Sequence, residues 1–374
     1  MSTAVQEQEW QTFSPLPLHP AIQHRIWQQW QQGRLPHAFL FYGPAGVGKE
    51  ALALEVARLL NCESDTPGIC NQCPACVKIA HLEHPDVHLI FPTPAESNVK
   101  PEEIQQALQA KAENPFQDVS FGTKNTFIGI DTIRDLKRES GYKRFEGKYK
   151  VYIFTQAEKM RPEAANALLK LLEEPPEGLV LILITESIHK ILPTIKSRCQ
   201  LVRFPYLPEA TLLELARQYL PDVPEADLPV LARLSGNNLK RMMALAAEDV
   251  RAMRDEMVEL LRRIVRISRG QDLLKMLEPM AQKKDRERIF LMLWLMLLWF
   301  QDVLYLRSGH VERIHNRDAQ DTLEKFNAFL PHTDIPAAVF AIEQAIQELQ
   351  DLRNLNPLLI LVNLAIKLHS VLKS

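Results

Sequence analysis

Two concentrations of scarce residues mark where this sequence can do chemistry. Of five cysteines in 374 residues, four lie close together: Cys62, Cys70, Cys73 and Cys76. Their C-x7-C-x2-C-x2-C spacing supplies four thiolates, enough for a closed tetrahedral site. In a reducing compartment such clustering points to a metal rather than to disulfides. Zinc fits the pattern, with iron–sulfur ligation as the rival. Four protein ligands leave no open position, so the expected role is structural. Pro67-Gly68 and Pro74 shape the loop. His81, His84 and His88 follow, but Pro85 interrupts them and no carboxylate spacing accompanies them, so they read as surface or packing histidines.

The second concentration is Gly43-Pro-Ala-Gly46-Val-Gly48-Lys49, which holds three of the 13 glycines and matches G-x-x-x-x-G-K. Glycines there let backbone N–H groups wrap phosphates, the following helix contributes its positive end, and Lys49 places a point charge on the terminal phosphates. The companions of the motif are altered. Glu50 stands where Ser or Thr would ligate magnesium, and its carboxylate faces the triphosphate at short range. The strand expected to end in Asp-Glu runs instead into Thr155 and Gln156, which can neither hold the metal's charge nor take a proton from water. Glu158 is a conceivable displaced base, though a Glu at a helix start needs no such role. Hydrolysis is therefore not expected, while the surviving lysine and glycines leave ATP or ADP binding open.

The elements that must position these residues follow from periodicity. His37–Tyr42 reads as a buried strand leading into the glycine loop, and 51–60 as the helix after it. Val87–Phe91, Val151–Phe154, Leu179–Ile184 and Leu201–Phe204 are further strands, apolar enough to be covered on both faces of a parallel sheet. After Phe204 the strand signals stop. Short helical segments occupy 209–269, and longer helices follow at Ile289–Leu306, Asp334–Leu352 and Pro357–Leu372. The apolar run Ile289–Phe300 is too short to span a bilayer and reads as the centre of a bundle or as a subunit interface.

Composition agrees with this plan. Thirteen Gly against 25 Pro disfavours turn-dense β architectures, and 46% hydrophobic with 24% charged residues suits a protein with real cores. A formal charge of −2 argues against a chain that coats nucleic acid through its global field. Met1–Trp10 lacks the features of a secretory signal, so a cytoplasmic protein without membrane contact is expected. Residues 131–150 do hold seven basic side chains against four acidic ones, a local +3 that reads as a solvated helix and loop or as a weak, assembly-dependent contact with DNA phosphates.

Arg34–Gly43, Ala165-Asn-Ala-Leu-Leu-Lys-Leu-Leu-Glu-Glu-Pro-Pro176 and Ser197-Arg198-Cys199 together resemble bacterial clamp-loader AAA+ subunits of DNA polymerase III over most of residues 15–250. The resemblance implies an α/β P-loop AAA+ core with a five-stranded parallel sheet at 1–205, carrying a zinc-binding insert at 62–76. It further implies a small helical lid at 206–270 and an all-helical collar at 271–374 for oligomerisation. It decides for zinc at the four cysteines. It assigns Arg198 as a finger acting in trans on ATP held by the neighbouring subunit, and Lys240, beside Arg241, as a lid residue that touches nucleotide; the motor pattern has Arg there.

Eroded nucleotide motifs with Ser-Arg-Cys retained place the chain with the delta-prime type. That type is a largely non-hydrolysing stator, assembling with motor (gamma/tau) and delta subunits within the DNA-directed DNA polymerase holoenzyme. The sliding clamp and primer–template DNA are the further partners, and delta is expected to be the main clamp opener. The alternatives are an ATP-hydrolysing gamma/tau-type motor subunit and a stand-alone zinc-containing nucleic-acid-binding protein on a dead P-loop core.

Overall fold

The structure, a computed structural model, describes residues 18–373 except 66–67, 95–99, 120, 122–125, 267–269, 283–285 and 352–354. The Met1–Trp10 reading, Pro67 and the helix end at Leu352 lie outside the described residues. The chain forms two compact units, 1–211 and 212–374.

The first unit alternates strands and helices. Helix α1 (Pro20–Gln31) precedes β1 (Ala38–Tyr42), and α2 (Lys49–Asn61) follows the glycine loop. Then come α3 (Pro74–Ala80), β2 (Val87–Ile90), α4 (Pro101–Glu113), α5 (Ile130–Ser140) and β3 (Lys150–Phe154). The unit ends with α6 (Pro162–Glu173), β4 (Leu179–Thr185), α7 (Pro193–Lys196) and β5 (Gln200–Arg203). Five of these helices begin on proline, whose fixed φ suits the first turn and whose missing N–H is no loss there. Helix starts thus account for part of a proline content that composition alone reads only as punctuation.

All strand pairings are parallel, in the order β2-β3-β4-β1-β5. The inner strands β3 (Lys-Val-Tyr-Ile-Phe) and β4 (Leu-Val-Leu-Ile-Leu-Ile-Thr) are buried at every position, as two covered faces require. All five expected strands are present, each within a residue or two of its predicted bounds. Leu40, Tyr152, Phe154, Leu168, Leu181 and Leu183 form the centre of one core layer beneath α5 and α6.

The second unit is helical. Its helices, beginning with one that spans the boundary between the units, are α8 (Glu209–Tyr219), α9 (Leu228–Ser235), α10 (Leu239–Ala246), α11 (Val250–Arg266) and α12 (Gly270–Gln282). They continue with α13 (Arg286–Arg307), α14 (Gln320–Phe329), α15 (Ile335–Leu349) and α16 (Pro357–Lys373). Helix α13 extends the apolar run to 22 residues, long enough by length to cross a membrane, but its most apolar stretch is 67% buried among the other helices. That burial is what an apolar-all-round helix needs at the centre of a bundle. Its single buried carboxylate, Asp302, is fully satisfied: it accepts from the backbone N–H and ring of His315 (both 2.8 Å) and from the backbone and side-chain N–H of Asn316 (2.9 and 2.7 Å).

Candidate functional site

The glycine loop leaves the carboxyl end of β1 and turns into α2, with Gly46 and Gly48 at positive φ (+64° and +84°). Two of its glycines are needed whether or not phosphate is present, Gly43 by packing against backbone and Gly48 by its left-handed φ. A Cβ at Gly43 would lie 2.3 Å from the Phe204 carbonyl oxygen, and one at Gly48 would lie 2.7 Å from Leu18 Cδ1. The motif therefore has a reason to persist without nucleotide. His19 braces the loop from outside through a 2.7 Å contact between Nε2 and the Val47 carbonyl.

Lys49 is buried and turned back on its own loop, donating to the carbonyls of Gly43 (2.9 Å) and Pro44. Burial pulls its ammonium below the ordinary lysine value, while the carboxylates of Glu186, Glu50, Glu158 and Asp118 act against that shift. Four acids around one lysine make a poor cradle for a triphosphate. Glu50 forms an ion pair with Lys111 of α4, a side chain only 1% exposed that also donates to the carbonyls of Pro115 (2.7 Å) and Gln117 (2.8 Å). All three ammonium protons of Lys111 are thereby used. The cavity bounded by Lys49, Glu50, Phe116, Asp118, Gln156 and Glu186 measures about 40 Å³, room for a few waters. A triphosphate would need Lys49 to leave its carbonyls.

The strand end behaves as its residues suggest. Thr155 is buried, with its N–H bonded to the Ile90 carbonyl at 2.8 Å, and Gln156 Nε2 donates to Asp118 at 3.3 Å. Glu158 falls on a single 3-10 turn, Ala157–Lys159, and its Oε2 is buried without a hydrogen-bond partner. Nothing in the sequence singles out Lys111, Asp118 or Glu186. They come from other segments, and only the fold brings them to the loop.

The four cysteines converge. Their Sγ atoms all lie within 4.8 Å of one another, and those of Cys70 and Cys76 are 3.9 Å apart, close to the ~3.8 Å edge of a tetrahedron of Zn–S bonds. The backbone N–H groups of Gln72 and Cys73 point at Cys70 Sγ (3.5 and 3.3 Å), and that of Cys76 at Cys73 Sγ (3.4 Å). Those donors bring the Cys70 thiol down to about 6, whereas burial raises Cys62 and Cys76. Soft sulfur donors at this spacing, with N–H groups stabilising thiolate charge, fit a metal ion; these four cysteines could hold one. The nearby histidines stay out of the cluster. His84 is buried and accepts from the Asp86 N–H, and His88 stacks on Tyr152 at 4.7 Å.

Arg198 lies between α7 and β5. Its guanidinium pairs with Glu173 at the end of α6 (2.7 Å) and donates to the Thr194 carbonyl (2.9 Å), with the side chain 35% exposed. Cys199 beside it is shielded enough for its thiol to be pushed up to about 12. In the second unit, Lys240 and Arg241 open α10, capped by Asn238, whose side chain accepts from the Arg241 N–H. Arg241 itself is committed: it lies 3.4 Å from the Trp294 ring centre and donates to the Ser235 carbonyl at 2.8 Å.

A parallel five-stranded sheet with a glycine-loop lysine at the end of β1, followed by a helical unit, defines a P-loop AAA+ type of protein with an altered nucleotide site. The chain belongs to the family of bacterial DNA polymerase III clamp-loader AAA+ subunits of the delta-prime type. The family model described as "DNA polymerase III, delta subunit" matches residues 18–208, and "DNA polymerase III, delta subunit, C terminal" matches 255–370. DNA polymerase III subunit delta' of Pseudomonas aeruginosa is 35% identical over 247 residues, covering 64% of this chain and 66% of the relative. The Bacillus subtilis subunit delta' is 26% identical over 346 residues, covering 91% and 94%. A gamma/tau subunit of Mycobacterium tuberculosis is 31% identical over 211 residues, but these are 55% of this chain and only 31% of that one. A solved gamma subunit-related protein of Thermotoga maritima, 17% identical, covers 92% of this chain and 99% of its own at a TM-score of 0.40.

Proposed function

We propose that this subunit is a stator of the clamp loader, assembling with motor (gamma/tau) and delta subunits through a collar at 271–374 and helping to load the sliding clamp on primed DNA. It does not hydrolyse ATP itself. The observation that carries this reading is the Glu50–Lys111 ion pair, which fixes a carboxylate, held by a buried protein cation, where a working site needs a magnesium-ligating hydroxyl. Thr155 and Gln156 remove the second half of the machinery.

Arg198 is the subunit's contribution to catalysis, as a finger in trans on the neighbour's ATP. Its bond to Glu173 is a partly exposed ion pair, of the kind worth about 0–1 kcal/mol, so exchange for a phosphate costs little. Cys62, Cys70, Cys73 and Cys76 hold a structural zinc. Gly43, Gly46, Gly48 and Lys49 form the degenerate nucleotide site, and Lys240, in the lid at 206–270, keeps the nucleotide-contacting role that the family resemblance gives it.

The test is magnesium-dependent ATP turnover by the purified chain, expected to be absent, set against clamp-stimulated turnover by the complex reconstituted with motor and delta subunits, expected to require this chain. Steady turnover by the chain alone would overturn the stator reading.

A further inference from the structure

Within the second unit, the connections that precede α9 and α11 enclose a pocket that the stator reading leaves unused. It measures about 390 Å³, inside the range of about 300–1,000 Å³ usual for ligand pockets. Its apolar wall is made by Val223, Val230, Ala246 and Val250, all half-buried, over the buried Leu231. Apart from Asp318, every residue lining it falls between 222 and 254, ahead of the 255–370 stretch that matches the C-terminal family model and ahead of the proposed collar.

The charges around that wall are mostly acidic: Asp222, Asp227, Glu248, Asp249 and Asp318 stand against Arg251 and Arg254. Two of the five acids are occupied within the chain. Buried Arg254 forks onto Asp318 (3.0 and 2.7 Å), and Glu248 pairs with Arg288 of α13 (3.0 Å). Three carboxylates, those of Asp222, Asp227 and Asp249, then face the one exposed guanidinium of Arg251, and none of the three is ion-paired among the described residues. The mouth of the pocket is net negative. Its walls are also fixed. In the first connection Arg217 forks onto Glu225 (3.0 and 2.7 Å) and the Asp227 N–H bonds to the Pro224 carbonyl (2.9 Å). In the second, Asp249 accepts from the Ala252 N–H at the start of α11 (3.0 Å). A pocket held open in this way loses little entropy when it is filled.

We propose that this pocket docks a segment of a protein partner in which an apolar side chain is flanked by lysine or arginine. The apolar side chain packs on the three valines, and its basic neighbours meet Asp222 and Asp227, ahead of α9, and Asp249, ahead of α11. Charge and wall together select this occupant. A nucleic acid or an anionic lipid surface would bring like charge to the mouth. A polyamine carries ammonium groups along its whole length and would strand them over apolar surface, where an unpaired charge is costly. An apolar peptide without basic residues would cover three carboxylates and leave them unpaired. Docking of this kind holds whether or not the subunit is a stator.

The experiment selects displayed random heptapeptides on the full chain, synthesises those retained and measures their affinity by fluorescence anisotropy. Retained peptides should carry Leu, Ile or Phe beside Lys or Arg, and their affinity should fall as salt rises. Asp222→Asn, Asp227→Asn and Asp249→Asn combined should lower affinity about tenfold at an unchanged thermal midpoint, because asparagine serves as well as aspartate at the start of α11. Ala246→Trp, which fills the pocket and leaves its charges in place, should abolish binding. Retained peptides that lack basic residues, equal affinity for wild type and the asparagine variant, or displacement of the peptides by spermidine at matching concentration would each overturn the proposal. So would a selection that yields no peptide preferring wild type to the Ala246→Trp chain.

Discussion

Replacing Arg198 by Ala separates two roles by their magnitudes. Within this chain the guanidinium holds Glu173 (2.7 Å) and the Thr194 carbonyl (2.9 Å), at side-chain exposures of 35% and 47% for the ion pair. Such a pair contributes about 0–1 kcal/mol, so the variant should fold and assemble normally. A finger on a transferring phosphoryl group acts where charge develops, and its loss costs about 10³-fold or more, roughly 4 kcal/mol in the barrier. The assay is single-turnover hydrolysis in the reconstituted complex with an intact arginine at every other subunit, so that only the site facing this chain changes. Glu173→Ala is the matched control: it breaks the same ion pair but leaves the arginine, and the neighbour's rate should stay within about twofold of wild type. Arg198→Lys should recover only part of the rate, because an ammonium cannot make the two-pronged contact. If Arg198→Ala leaves the neighbour's hydrolysis unchanged in an assembled complex, the trans-finger reasoning is wrong and the residue is only a brace for α6.

Three further outcomes are expected. The purified chain should carry one zinc per molecule by elemental analysis, and Cys73→Ser or a strong chelator should lower its thermal midpoint, since binding energy at a closed four-thiolate site is folding energy. Glu50→Thr should not restore turnover, because Thr155 and Gln156 remain and Lys111 loses its carboxylate; breaking that buried pair should cost about 3–5 kcal/mol in denaturant titration. Asp86 sets a pH dependence: burial pushes its carboxyl up, but the N–H donors of Gly147, Phe145 and Glu146 together hold it below the ordinary aspartate value of 3.8. Its stabilisation is therefore present above that value and is lost as pH falls through the lower folded value, so the protection factors of amides 145–147, each rate taken relative to the unstructured rate at the same pH, should hold steady from pH 5 to 7 and drop in acid.

Periodicity alone located the five strands, the helix after the glycine loop and the long helices of the second unit, because fully covered parallel strands read as unbroken apolar runs and helices as 3.6-residue patterns. The phosphate loop, the four cysteines and the altered Glu50, Thr155 and Gln156 were equally legible, since each depends on residues adjacent or nearly adjacent in the chain. The family resemblance rested on such contiguous stretches as well. Only the tertiary structure decided what surrounds them. Lys111, 61 residues from Glu50, neutralises it across the fold, and Gly43 answers to the Phe204 backbone as much as to any phosphate. A basic stretch that reads as a DNA contact has most of its cations bonded to carbonyls and neighbouring acids, leaving two aromatics on a loop pinned by a distant aspartate. Pairings across long sequence separations leave no periodic trace, so composition and spacing can nominate the reactive residues but not the charges and packing that set what those residues do.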